Sequence, residues 1–179
     1  MLEFVRLRKD HLEMVLAWRV MPEITRFMFN DIEFDIENQK QWFKTISSDD
    51  SCRHWVIYVD GQPIGLIYLD NIDMKCHRSS WGYYIGEEDS RHLGGLILPY
   101  FYTYCFTQLR LKKLVAEVMD GNDNIMKIHR LHGYRTVGTY KNHIYKNDRY
   151  HDVHVFELHA DDWNALHKDP KKHVAKFED

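Results

Sequence analysis

No stretch of this chain stays apolar long enough to cross a bilayer as a helix. The longest such run, around Leu96–Phe106, stops well short of the roughly 20 residues required. The N-terminus "MLEFVRLRKD" also lacks the charged, apolar and small-residue blocks of a signal peptide. Cysteine is scarce: Cys52, Cys76 and Cys105 make no CxxC pair and no even framework, which fits a reduced compartment. Basic excess is missing as well. The formal net charge is −3, whereas nucleic-acid binding needs a concentrated positive surface. There is no internal repeat and no Gly/Ser/Pro-rich linker. What is present is apolar side chain, 44% of 179 residues with 14% aromatic, enough for one domain with a real core. A cytoplasmic, single-domain protein with no nucleic-acid or membrane partner is expected. Residues 1–165 are expected to form the domain and 166–179 a loosely held charged tail.

The twelve histidines invite a metal reading. Only His129–x–x–His132 and His151–x–x–His154 have suggestive spacing. The second pair falls on a strand, where i and i+3 face opposite sides. With no thiolate nearby no zinc pattern emerges, no metal is expected, and the histidines are read as mostly surface.

Periodicity orders the chain. "EFVRLR" alternates as a first strand, and "KDHLEMVLAWRV" has helical spacing up to Pro22. "DIENQKQWFKTI" is a second helix with Asp35 as its N-cap. "HWVIYV" and "QPIGLIYLDNI" flank Asp60–Gly61, the strongest hairpin signal in the sequence. "SSWGYYIG" is a further strand, and "SRHLGGLILPYF" opens a helix reaching about Leu109. The strand "KKLVAEVM" and the helix "NDNIMKIHRLHG" follow, the latter with Asn122 as cap and Gly133 as stop. Two strands around "KNDR" and a short helix at "DDWNAL" close the series. Antiparallel strands followed by a βαβ crossover predict a mixed sheet with helices on both faces.

The glycine pair is the unusual feature. Glycine weakens a helix by about 1 kcal/mol against alanine, and a pair at the first turn leaves N–H groups bare. Such a turn suits an anion, because a helix N-terminus carries about half a positive charge. Together, the strand–glycine turn–helix–strand–helix series resembles the GNAT superfamily of acyl-CoA-dependent N-acetyltransferases, whose Q/R-x-x-G-x-G/A signature cradles the CoA pyrophosphate. Two registers are open, with Arg91 or Asp89 in first position; either way Arg91, His92, Leu93, Gly94 and Gly95 line the turn. "NDNIMKIHRLHGY" is similar to the family's N-x-x-A-x-x-x-Y-x-x-x-G-F stretch, with Ile125 for the alanine and His129 for the tyrosine. "AWRVMPEITRFMF", "IEFDIENQKQWF" and "VIYVDGQPIGLIYLDNI" resemble one branch, the N-acetyltransferases that act on a UDP-linked 4-amino-4,6-dideoxy sugar in pseudaminic acid biosynthesis. Polyamine and protein N-terminal acetyltransferases share much of this outline, and so would an inactive module that only binds acyl-CoA.

The resemblance implies an α/β (α+β) fold with a mostly antiparallel, splayed sheet of about seven strands. It implies acetyl-CoA as co-substrate, with the pantetheine arm between the fourth and fifth strands. Backbone groups of Tyr84, Ile85 and Gly86 would bind that arm, with Asn122 on its other side. His129 stands where the family's thiolate acid is, with an ordinary pKa near neutrality, and Tyr134 or Tyr83 are the alternatives. Ser80 stands where a glutamate base is common and could position a water. A weak base suits a sugar amine of pKa about 8 better than a lysine-like amine above 10. Arg19 is the candidate phosphate ligand for a nucleotide-sugar, with Trp18 for uracil stacking and Tyr83 nearby. The amine partner is therefore a small molecule; oligomeric state is not specified, and a homodimer is allowed.

Overall fold

A computed structural model describes residues 1–167, 169 and 172–179. Its eight strands are β1 (Leu2–Arg6), β2 (Arg53–Val59), β3 (Gln62–Asp73), β4 (Arg78–Ile85), β5 (Lys113–Met119), β6 (Arg135–Lys146), β7 (Arg149–His159) and β8 (Lys176–Phe177). Six α-helices accompany them: α1 (Leu12–Arg19), α2 (Pro22–Thr25), α3 (Ile36–Ser47), α4 (Gly94–Thr107), α5 (Asp123–Leu131) and α6 (Ala160–Leu166). One sheet runs β6-β7-β5-β4-β3-β2-β1-β8, parallel only at β4/β5 and β1/β8. The sheet is mixed and mostly antiparallel, as expected.

Sequence signals explain the elements. Asp60 and Gly61 both have positive φ (50° and 79°), the geometry of a two-residue turn whose twist matches a hairpin. Asp35 caps α3 through bonds from Glu37 N and Asn38 N, and Gly133 at φ 91° ends α5. Along the strands, side chains alternate between two cores. Trp55, Ile67, Leu69, Trp81, Leu114 and Phe156 pack under α4, α5 and α6. Val56, Leu66 and Tyr84 meet α1, with Trp42 and Phe43 of α3 alongside. Helices therefore cover both faces.

One expectation needs correcting. The tail is not loose at its end. β8 adds an eighth strand beside β1, and the Phe177 ring stacks between Phe4 (4.0 Å) and Tyr104 (3.8 Å). The Glu178 carbonyl accepts from the Trp55 indole (2.8 Å), and its carboxylate bonds Arg8 (2.6 Å). One aromatic side chain, inserted between two others, outweighs the charged composition around it. Within that tail Lys168, Pro170 and Lys171 lie outside the described residues. Of the twelve histidines, eight keep some surface, and His11, His54, His129 and His151 are buried. α4 runs through Pro99, whose ring removes one hydrogen bond to the preceding turn.

Candidate active site

The sheet is open at its centre. β4 and β5 pair only at Arg78/Lys113, Ser79/Leu114 and Ser80/Val115, then diverge. Gly86 N–H bonds Ile64 O (2.8 Å), as does Glu87 N–H (3.1 Å). Counting back two residues at a time, the main-chain groups of Tyr84 and Gly82 also turn to β3. Those of Tyr83 and Ile85 turn to the side that β5 has left. Of the three residues expected to bind an extended ligand through their backbone, Ile85 is free to do so; Tyr84 and Gly86 are already paired with β3.

A cavity of about 940 Å³ passes through this opening. On one face of the sheet it is walled by α1, α3 and the 27–33 segment, on the other by α5. Ser80, Asn122, His129 and Arg19 line it, so residues far apart in the sequence share one cavity. Asn122 stands at the start of α5 but makes no side-chain capping bond, which leaves its amide available to the cavity. The structure adds residues that the sequence did not single out: Trp42, His54, Tyr68, Asn38, Gln39, Asn30, Asn71, Asp70 and Glu117. Asp70 and His54 could have been noticed as polar positions inside otherwise apolar strands. The 27–33 segment has no such signal.

His129 is in place but not in the expected charge state. It is 2% exposed, between Trp81, Tyr134 and Phe156. Burial, with a smaller push from His132, holds its pKa down to about 3. Burial thus favours the neutral imidazole over the imidazolium form. Tyr134 is no substitute: it lies behind His129, does not line the cavity, and burial drives its pKa far up. Tyr83 turns to the opposite face from α1 and α3, its hydroxyl 3.1 Å from where a Cβ on Gly94 would stand. That places it away from the amine wall.

Trp18 is not a stacking platform. It is 3% exposed, and its indole covers Gly86 so closely that a Cβ there would fall 2.1 Å from Cγ. Its Nε1 donates to Glu87 Oε1 (3.0 Å). Arg19 does face the cavity, and it holds Thr25 Oγ1 (3.1 Å), Asn30 O (2.9 Å) and Asn30 Oδ1 (3.0 Å). From the other side Lys146, the single buried residue of β6, holds Thr25 O, Met28 O (2.9 Å) and Asp31 (2.8 Å). Two cations therefore fasten the 25–31 segment that walls the cavity.

The glycine turn is wound more tightly than expected. Residues Glu88–Leu93 form 3₁₀ turns that run straight into α4, and Gly94 N–H bonds Arg91 O. Gly94 is thus not bare at its amide. The pair also serves packing, since Gly94 lies under Tyr83 and Gly95 beside Ile128 of α5. Leu93 packs on the core, while Arg91 and His92 stay at the turn, Arg91 with a buried Nε that has no partner among the described residues. Among those residues no group of three metal-ligating side chains exists.

Residues 5–155 match the family described as Acetyltransferase (GNAT) domain. The chain is 26% identical over 127 residues to the acetyltransferase PseH of Campylobacter jejuni strain 81-176, covering 71% of this chain and 78% of that protein. PseH of strain NCTC 11168 is similar at 24% over the same length. Among solved structures, the spermidine N-acetyltransferase of Vibrio cholerae in complex with CoA and spermine superimposes with a TM-score of 0.84 at 18% identity. That match covers 90% of this chain and 97% of the other, a likeness of fold.

Proposed function

The chain belongs to the GNAT acetyltransferases, and from that premise we propose that it acetylates the 4-amino group of a UDP-linked 4-amino-4,6-dideoxy sugar. It is an acetyl-CoA-dependent N-acetyltransferase. The observation that carries the substrate class is the wall of the cavity on the α1/α3 side. Aromatic rings (Trp42 edge-on to His54 at 5.3 Å, His54 stacked on Tyr68 at 5.2 Å) stand beside the amides of Asn30, Asn38, Gln39 and Asn71. Apolar rings for the sugar face and amides for its hydroxyls are the means of binding a neutral sugar ring. The likeness to PseH supports the same branch.

Residues at the opening fit an extended acyl carrier. Tyr83 and Ile85 offer main-chain groups along β4 that β5 does not pair, and Asn122, at the start of α5, lines the same cavity as Tyr83. Acetyl-CoA supplies an activated carbonyl and a thiol leaving group. Held in the cavity, the neutral amine attacks without first having to be found from solution, the larger part of what positioning contributes. Neutral His129 can lend an N–H to the departing sulfur but no full proton charge. Arg91 at the mouth of α4, with His92 beside it, and Arg19 on the cavity wall are the residues that would meet phosphate groups.

A second reading has its own observation. Glu33, Asp70 and Glu117 also line the cavity, and a polyamine would profit from these carboxylates. A thiol-release assay separates the two. UDP-4-amino-4,6-dideoxy sugar should turn over with a kcat/KM at least tenfold above spermidine; the reverse order assigns the polyamine. Stabilisation by acetyl-CoA with no thiol released from any amine would leave only a binding module.

A further inference from the structure

We propose that Asp70 of β3 is the general base of this site, acting on the amine through a water that Ser80 positions. This rests on the acetyl-transfer reading above. Asp70 and Ser80 are direct partners across β3 and β4, so their side chains share a sheet face, and both line the cavity at the end where β4 and β5 are still joined. The thioester region is thereby flanked by a carboxylate and a hydroxyl from adjacent strands.

The state of that carboxylate is the second observation. Asp70 is half-buried, yet among the described residues no side chain bonds its carboxyl oxygens; only its main-chain carbonyl is used, by Ser79 Oγ (2.8 Å). The titratable groups that interact with it are Asp49 after α3, Cys52 before β2 and Tyr68 on its own strand, and Glu117 of β5 lines the same cavity. Of the cations on nearby strands, Arg78 of β4 is engaged with Asp73 and Lys113 of β5 with Glu157, while Arg53 of β2 stands opposite Leu69 and so on the other face of the sheet from Asp70. Burial, and then the charge of Asp49, push its pKa above the ordinary aspartate value. A half-buried carboxylate without a partner costs stability, and such groups concentrate where chemistry needs them.

The step balances as follows. As the amine nitrogen bonds to the acetyl carbon, the C–S bond breaks and its electron pair leaves on sulfur. One N–H proton passes by the Ser80-held water to Asp70. The resulting carboxylic acid returns the proton to solvent, and the thiolate takes one up.

The test compares wild type with Asp70→Asn, which keeps shape and removes basicity. At pH 7 the variant's kcat/KM for the amine should fall about 100-fold, the scale of general-base catalysis. The Kd for acetyl-CoA by calorimetry should stay within twofold. The deficit should shrink as pH rises towards the amine pKa, and along a series of amines of falling pKa, because less proton removal is then asked of the enzyme. The variant should also be at least as stable as wild type, since an unpartnered charge is removed. A kcat/KM within threefold of wild type overturns the proposal. A deficit constant across pH and amine pKa, or a variant that unfolds, does so too, because both mark a structural aspartate. If wild type releases no thiol with any amine, the acetyl-transfer reading falls and takes this inference with it. An active wild type with an equally active variant removes Asp70 alone.

Discussion

Replacing His129 with phenylalanine tests the neutrality on which the site depends. The imidazole has an ordinary pKa of 6.5 in the unfolded chain and about 3 in the folded one. A folded-state pKa lowered in this way means that protonation favours unfolding: the contribution is complete above pH 6.5 and is lost as pH falls towards 3. At about 1.36 kcal/mol per pH unit, the 1.5 units between 6.5 and 5 correspond to a loss of about 2 kcal/mol by pH 5. The whole interval corresponds to about 5 kcal/mol, a large share of the 5–15 kcal/mol that holds a typical domain together. His54, held at about 4 by burial and by Arg6, adds a similar loss of about 2 kcal/mol over the same first interval. Urea unfolding followed by tryptophan fluorescence at pH 7.5 and 5.0 measures both. In His129→Phe the drop in stability between these two pH values should be smaller than in wild type by about 2 kcal/mol. Comparing drops removes any packing change that the larger ring brings. The kinetic side follows from the same number. Four units above its pKa, only about one imidazole in 10⁴ carries the extra proton. The kcat–pH profile of the variant should therefore keep the shape of the wild-type profile. An unchanged stability drop, or the loss of a limb near pH 6–7 in the variant, would refute the reasoning.

Lys146→Met keeps the buried stem and removes the ammonium that ties Thr25, Met28 and Asp31 together. It should raise the amine KM about tenfold, the effect of about 1.4 kcal/mol, while acetyl-CoA affinity stays put; steady-state kinetics with an unchanged amine KM would show that the 25–31 segment needs no such anchor. Gly86→Ala forces a Cβ into the Trp18 indole and should cost about 1–3 kcal/mol, the usual scale of overpacking. Adding Trp18→Leu should recover part of that loss in chemical denaturation, and purely additive effects would mean that the two residues are not in contact.

What could be read from the residues was whatever depends on neighbours in sequence. Asp60–Gly61, the Asp35 cap and the Gly133 stop each act within a few residues, and each is found as expected. What was missed or misread has another origin. Lys146 sits on a strand whose other residues are exposed or half-exposed, so nothing local marks it as buried; its partners are more than a hundred residues away. Phe177 belongs to a two-residue strand, too short for any alternation, and its place is set by Phe4 and Tyr104. The identity of residue 129 says that it can hold a proton, whereas its burial decides at which pH. Trp18 and the glycines show the converse. Gly86 was read as a backbone donor to a ligand and Gly94 as a bare amide, but each is also the space that an aromatic ring needs.

The opening itself follows from strand pairing. β3 stays with β4 up to Ile85, and β7 stays with β5 from Lys113 to Met119, so each inner strand is committed to its outer neighbour along its full length. Joined only at Arg78–Ser80, the two halves of the sheet twist apart beyond that point, and closing them would break one ladder or the other. The divergence leaves Tyr83 and Ile85 with main-chain donors and acceptors that no strand satisfies, an expense that folded proteins seldom bear without a partner. An elongated ligand carrying its own amides satisfies both sides at once. On the proposed reading its reactive end would lie where the strands rejoin, at the part of the cavity that Ser80 and Asp70 line together with His129.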